Sequence, residues 1–358
     1  MPLPIVGLIG CGFIGRFHSR NIRAALRTEL VPGDYAAVCD HVAGRAESFA
    51  AITGARVVAD NAERVFTTPG LNAVYICTET AEHPALVERA AAAGLHVFCE
   101  KPLAKTLADV ESMVAAVEAA GVTNQVGLVL RYSPIYTVLK ELISDPALGP
   151  FLTAHLRDDQ YFPTTGQYGS QWRGDFERAG GGTLIEHSIH DVDLFQWLFG
   201  PVTRVRCRTR FTSGHPRVED VALVTFDHEG GHSSTLSSIW HAIGDRPSTR
   251  RLEIFFEGGY FATDDDFIGP ITFQRRTGEA RELSTEAMLE RYQALTGLSE
   301  AEMDLARRGA LEDFRFLQAV HEERPSFPDF RTALSAHRVV DACYRSAEGS
   351  RDVLVEHP

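Results

Sequence analysis

Gly10-Cys11-Gly12-Phe13-Ile14-Gly15 is the stretch that decides how this chain folds. The run before it, Pro4-Ile5-Val6-Gly7-Leu8-Ile9, is short and apolar, the pattern of a strand covered on both faces. Behind it, residues 14–26 read as a helix. The G-x-G-x-x-G spacing therefore falls between a strand and a helix, the context in which it carries information. Gly10 permits the tight turn, Gly12 lets backbone approach a pyrophosphate, and Gly15 lets the helix lie close on the strand. The helix start directs unpaired N–H groups and a partial positive charge at the same place. Phe13 and Ile14, at that start, belong with the three glycines as cofactor-binding candidates.

Working outward, the next apolar strand, Ala36-Ala37-Val38-Cys39, ends in Asp40, 25 residues past Gly15. A carboxylate at about this distance accepts hydrogen bonds from the adenosine ribose hydroxyls of NAD. The alternative is a solvated Asp at a strand end. Motif and acid together predict a Rossmann nucleotide site. Asp40 favours NAD, since a 2′-phosphate would meet its carboxylate. His41 and Arg45 follow closely and leave NADP open.

The rhythm continues. Strands are expected near residues 57–59, 73–77, 96–99 and 124–128, with helices at 44–51, 84–93 and 107–120 between them. That alternation is a doubly wound parallel sheet. The pattern then changes to long alternating runs at 151–160, 202–212, 218–226, 233–240, 250–256 and 271–274, which read as an antiparallel sheet with one open face. A continuous helix over 183–199 precedes most of them, and helices over 302–323 and 333–347 close the chain. Residues 258–269 and 279–299 read as loops, the second with a short helix. The expected organisation is a Rossmann domain over 1–125 and an α+β domain over 126–358, mostly antiparallel, for substrate binding and oligomerisation.

A chain of 358 residues can bury two cores, and 44% hydrophobic with 23% charged residues fits an ordinary globular protein. A formal charge of −13 argues against nucleic acid and anionic membranes as partners. No apolar run reaches the roughly 18 residues of a membrane span. No secretory pattern precedes the first strand, so a cytoplasmic location is expected. The six cysteines form no C-x-x-C and read as small buried apolar residues.

Two further stretches carry chemistry. Glu100-Lys101-Pro102 sits at the end of a strand, where open α/β sheets bind ligands. Lys101 there can donate to a substrate oxygen; the alternative is a surface lysine before a helix-starting proline. On the 183–199 helix, Glu186, His190 and Asp193 form a polar stripe, with His187 and Asp191 beside it and Gly180-Gly181-Gly182 before it. A carboxylate one turn from a histidine suits general acid–base work. A solvated helix face is the plain alternative. A metal on Glu186, His187 and His190 would need further Cys/His spacing, so none is expected.

On these residues the chain resembles the Gfo/Idh/MocA family of sugar and cyclitol oxidoreductases. The shared motifs are residues 10–15, Glu100-Lys101-Pro102, and Gly180-Gly181-Gly182 leading to Glu186, His190 and Asp193. His83, Arg131-Tyr132-Ser133-Pro134 and the ending at 342–348 are also similar. The resemblance implies hydride transfer between a nicotinamide and a carbon bearing a ring hydroxyl, with Lys101 and His190 as catalytic pair and Glu186 orienting substrate. It places Thr78, His83, Glu100 and Lys101 on the cofactor. It also implies a homo-oligomer, dimer or tetramer, through the open sheet face. Two departures stand out: Glu186 replaces the family's usual Asp, and Thr78-Glu79-Thr80 replaces Thr-Pro-Asn.

The expected mechanism puts a sugar or polyol between domains. His190 exchanges the hydroxyl proton and Lys101 stabilises charge on the same oxygen. Which of the two is the formal base stays open. Arg131, Trp172, Arg173 and His187 are substrate-binding candidates with Glu186 and His190; Asp175 and His241 are weaker ones. Two rivals remain. One is a 3-keto-sugar redox enzyme whose tightly bound NAD assists glycoside cleavage. The other is a non-catalytic nucleotide sensor, which would need neither Lys101 nor His190.

Overall fold

The structure, a computed structural model, describes residues 1–28, 30–166 and 168–356. The chain forms two compact units. One comprises Met1–Leu128 with Asp304–Leu334, the other Val129–Met303 with the chain from Ser335 onward. The expected single boundary at 125/126 is therefore corrected, because residues 304–334 return to the first unit. Packing is the reason. Phe330, Ala333 and Leu334 join the apolar cluster of Val97, Val114 and Val126, which no local pattern announces.

In the first unit, β1 (Ile5–Ile9), β2 (Asp34–Cys39), β3 (Val57–Ala59), β4 (Ala73–Ile76), β5 (His96–Cys99) and β6 (Asn124–Val126) form one sheet. Its order is β3-β2-β1-β4-β5-β6, parallel throughout. Leu8, Val38, Val74 and Val97 have no exposed surface, as strands covered on both faces require. Each such side chain contributes about 1.5–3 kcal/mol through burial. Strand order reverses between β1 and β4. At such a switch point open α/β sheets bind ligands beyond the carboxyl ends of the strands, and the glycine loop follows β1 there.

The second unit carries a nine-stranded sheet. Its strands are β7 (Phe151–Tyr161), β8 (Val202–Arg210), β9 (Val221–His228), β10 (Ser233–His241), β11 (Thr249–Phe256), β12 (Gly259–Thr263), β13 (Ile271–Arg275), β14 (Arg281–Leu283) and β15 (Val353–Leu354). The order is β14-β13-β12-β11-β7-β10-β9-β8-β15. The β7–β10 pair is parallel and the other pairs are antiparallel. One face buries Leu156, Val224, Phe226, Leu236, Leu252 and Ile254. Helix Ile189–Phe199 covers it, with Phe195 and Phe226 ring centroids 5.3 Å apart. The other face exposes Leu223 and Arg208.

Several expected elements differ. The 183–199 helix is two pieces, Thr183–Glu186 and Ile189–Phe199, because His187 leaves the helical region at φ −122° and ψ −61°. The stripe of Glu186, His190 and Asp193 is thus not one straight helix face. The expected loop at 258–269 contains β12, and 279–299 contains β14 and the 12-residue helix Thr285–Thr296. The expected 302–323 helix divides into Glu300–Arg307 and Leu311–His321. Gly309, at φ +68°, takes the left-handed turn between them.

Candidate active site

The glycine loop is built as its spacing requires. Gly10 has φ +97°, and a Cβ there would lie 2.5 Å from the Cys77 carbonyl oxygen at the end of β4. A Cβ on Gly15 would collide with the Gly10 carbonyl oxygen. Among the described residues, a Cβ on Gly12 would meet no atom within 4 Å, so open space faces that backbone. Helix α1 (Phe13–Leu26) starts there without a side-chain cap, leaving its first N–H groups for a ligand. An open cradle at an uncapped helix start fits a dinucleotide diphosphate.

Asp40 lies buried at the end of β2 beside this loop. Its Oδ2 accepts the Cys11 N–H at 2.8 Å and its Oδ1 accepts the Val42 N–H at 2.8 Å. Arg45 approaches Oδ2 at 3.3 Å, and His41 is exposed. The carboxylate is thereby oriented at the loop, with further lone pairs to offer. Phe13 is exposed and Ile14 half-buried.

The peptide between Lys101 and Pro102 is cis, and Lys101 is half-buried. His83 braces this turn. Its Nδ1 lies 2.9 Å from the Pro102 carbonyl oxygen, and its Nε2 lies 3.3 Å from that of Thr78. Glu100 is buried within the unit: its Oε1 meets His18 Nε2 at 2.8 Å and its Oε2 accepts the Lys101 N–H at 3.1 Å. Burial opposes its charge, but His18 outweighs burial and holds it below the usual carboxylate range.

In the second unit, Glu186 is buried and accepts from Arg173 Nε at 3.1 Å. The Arg173 guanidinium also lies 4.4 Å over the Trp172 ring, so these three substrate candidates form one cluster. His190 is 9% exposed. Arg131 makes a two-pronged pair with Asp193, both contacts at 2.7 Å, and its guanidinium lies over Trp197. Asp175 caps the short helix Phe176–Ala179, and His241 lies 3.5 Å from Asp159. His187 Nε2 sits 2.9 Å from the buried Asp158 Oδ2.

Asp158 belongs to a hub that sequence reasoning missed. Buried Arg250 donates from Nε to Asp191 at 2.7 Å, from Nη2 to Asp158 at 2.8 Å and from Nη1 to Asp266 at 2.6 Å. Burial pushes Asp191 well above the carboxylate range, while Arg250 and His187 hold buried Asp158 well below it. Arg250 thereby joins Asp191, on the helix that carries His190, to Asp158 on β7. The signal was available: Arg250 and Asp158 occupy the inward positions of alternating strands, next to Leu252 and Leu156. Glu219 was missed too. It accepts the Gly182 N–H at 2.7 Å, the Leu184 N–H at 3.0 Å and the Tyr344 hydroxyl at 2.9 Å. A Cβ on Gly182 would collide with the Glu219 carbonyl oxygen, which is why the glycine run precedes the site.

Residues 5–128 match an oxidoreductase family described by its NAD-binding Rossmann fold, and residues 136–262 match the Gfo/Idh/MocA C-terminal domain. The chain belongs to the Gfo/Idh/MocA oxidoreductase family. This Gfo/Idh/MocA chain is 27% identical to the oxidoreductase YrbE of Bacillus subtilis (strain 168), over 99% of its own length and 97% of that protein. It is 25% identical to a myo-inositol 2-dehydrogenase of Thermotoga maritima, covering 80% of this chain and 83% of the relative. Its fold matches a levoglucosan dehydrogenase in complex with NADH and levoglucosan, with TM-score 0.86, 20% identity and coverage of 99% and 100%. The Gfo/Idh/MocA assignment makes the chain an enzyme with an NAD-binding Rossmann domain. No helix among its described residues is long and apolar enough to cross a membrane.

Proposed function

We propose that this enzyme moves a hydride between NAD and a ring hydroxyl or ketone of a sugar, glycoside or cyclitol, with Lys101 and His190 as its catalytic pair. The supporting observation lies in the first unit alone. Asp40, the glycine loop, Thr78 and Lys101 follow the carboxyl ends of β2, β1, β4 and β5, which are successive strands of the sheet. Three strand spacings cover about 14 Å. A dinucleotide laid along that edge has its adenosine ribose at Asp40, its diphosphate at Gly12 and its nicotinamide end towards Lys101. NAD, when bound, accepts or supplies the hydride. Lys101 donates to the substrate oxygen and stabilises charge as it develops there. His190 takes the hydroxyl proton on oxidation and returns it on reduction. Glu186, held by Arg173, orients a neighbouring hydroxyl. Association of copies through the open sheet face belongs to the same reading, and light scattering tests it.

The experiment is a panel of inositols, pyranoses, anhydrosugars and their ketones with NAD and NADP, followed at 340 nm. Lys101→Ala is expected to keep NADH affinity while lowering kcat about 100-fold or more. Near-normal turnover by that variant would overturn the catalytic pair. No turnover of free NAD(H) on any compound would overturn the dehydrogenase reading in favour of a retained cofactor.

A further inference from the structure

We propose that His18 is a positioning residue for Lys101, acting through Glu100 from inside the nucleotide-binding unit; the inference rests on the catalytic reading of Lys101. His18 lies on α1, three residues past Gly15, with no exposed surface. Its Nδ1 is 2.7 Å from Asp313 Oδ1 and its Nε2 is 2.8 Å from Glu100 Oε1. An ionised carboxylate can only accept, so a ring between two of them must donate from both nitrogens and carry a proton. Burial alone would push the imidazolium towards its neutral form. Asp313 and Glu100 outweigh burial and hold His18 well above its usual range.

The rest of the box keeps that arrangement single-valued. Phe98 and Tyr75 lie 4.8 Å and 5.8 Å from the imidazole by ring centroids, and Phe316 closes on both of them. Asp313 is held on its far side by Asn21 Nδ2 at 2.9 Å. Glu312, the third acid facing the ring, is pushed well above its usual range by burial. Glu100 then has one placement. Gly127 makes room for it, since a Cβ there would lie 2.6 Å from Glu100 Oε1.

The consequence falls on the turn. The second oxygen of Glu100 accepts the Lys101 N–H, and His83 holds the Pro102 carbonyl oxygen. The backbone of the Lys101–Pro102 step is thus gripped at both ends, once by a carboxylate whose orientation His18 sets. A residue from 295 positions further along the chain, Asp313, completes the chain of contacts. Asp313 thus brings the returning segment 304–334 into the box around His18. A lysine acting on a transition-state oxygen tolerates little misplacement, and an error near 1 Å costs about 100-fold in rate.

The chain has only three lysines, Lys101, Lys105 and Lys140, which makes a direct readout practical. Reductive methylation with 13C-formaldehyde gives one dimethyl-amine signal per lysine, assigned by substitution. The variants are His18→Gln and Glu100→Gln, the second keeping size and an acceptor oxygen if the first does not fold. In both, the Lys101 signal is expected to move while that of Lys140 holds. On the substrate found at 340 nm, kcat is expected to fall about tenfold or more, with KM and NADH affinity within about threefold. The double variant Lys101→Ala/Glu100→Gln should be no slower than Lys101→Ala, because positioning has nothing left to position. An unmoved Lys101 signal in Glu100→Gln, or losses that multiply in the double variant, would overturn the inference while leaving Lys101 catalytic. Normal turnover by Lys101→Ala would instead overturn the reading on which it rests.

Discussion

Replacing Arg250 by Met removes the guanidinium from the hub beneath the His190 helix while keeping an unbranched, largely apolar stem. Three charge-assisted hydrogen bonds are lost, at 2.6, 2.7 and 2.8 Å. They do not count equally. Asp266 is 43% exposed in its side chain and can be solvated instead. Burial pushes Asp191 well above the carboxylate range, so it depends less on the guanidinium. The cost therefore falls on Asp158, which is left buried with the contacts to His187 and Ser188. Breaking a buried pair in this way costs about 3–5 kcal/mol, and the remaining His187 contact places Arg250→Met near the lower end, about 3 kcal/mol at pH 7. The pH dependence has a defined sign. Arg250 depresses Asp158, so the stabilisation is present above the unfolded value of 3.8 and is lost as pH falls through the folded one. In the variant, burial lifts Asp158 instead, so it takes up a proton on mild acidification and the penalty shrinks. Urea denaturation followed by tryptophan fluorescence reports on the right unit, because Trp172, Trp197 and Trp240 all lie in it. Asp158→Asn added to Arg250→Met should restore part of the loss. A penalty under about 1 kcal/mol, or one equal at pH 7 and pH 5, would refute the hub as described.

Two glycines of the loop separate fold from ligand. Gly15→Ala drives a Cβ into the Gly10 carbonyl and should lower the melting temperature of the apo protein, whereas Gly12→Ala should leave it nearly unchanged and weaken NADH binding by fluorescence titration; equal melting losses would count against these separate roles. Asp40→Ser should weaken NAD by about 1.5–3 kcal/mol and improve NADP relative to it, with equal NAD affinity in both proteins counting against a ribose contact. Burial, against its hydrogen-bond donors, pushes Glu219 from 4.5 up to about 7. A raised acid holds its proton longer when folded, so this group lowers stability as pH climbs from 4.5 to 7, by on the order of 3 kcal/mol. Glu219→Gln should flatten that limb of the urea-denaturation profile, and an unchanged slope would show that the carboxyl is ionised throughout.

The glycine spacing, the Asp40 offset and the strand–helix rhythm were readable in one dimension because the physics behind them is local. A turn needs φ > 0, a helix start needs partners, and a doubly covered strand needs an apolar run. Lys101 was legible for the same reason, as a residue at a strand's carboxyl end. Period-two alternation likewise announced the long strands of the second sheet. Two of those strands also carried a quieter signal, a charge at an inward position: Asp158 beside Leu156 and Arg250 beside Leu252. That position says a buried partner must exist without saying which.

Tertiary structure alone supplied the partners. The place of Glu100 in the turn was legible, but not that its oxygens meet His18 and the Lys101 N–H. The place of His187 near His190 was legible, but not that the helix breaks there and sets its ring on Asp158. The return of residues 304–334 to the nucleotide unit, with Asp313 reaching His18, has no local trace either. The reason is physical. Backbone conformation follows from neighbours within a few residues, but a buried charge is stable only against whichever opposite charge the fold delivers, and that group can stand anywhere in the sequence.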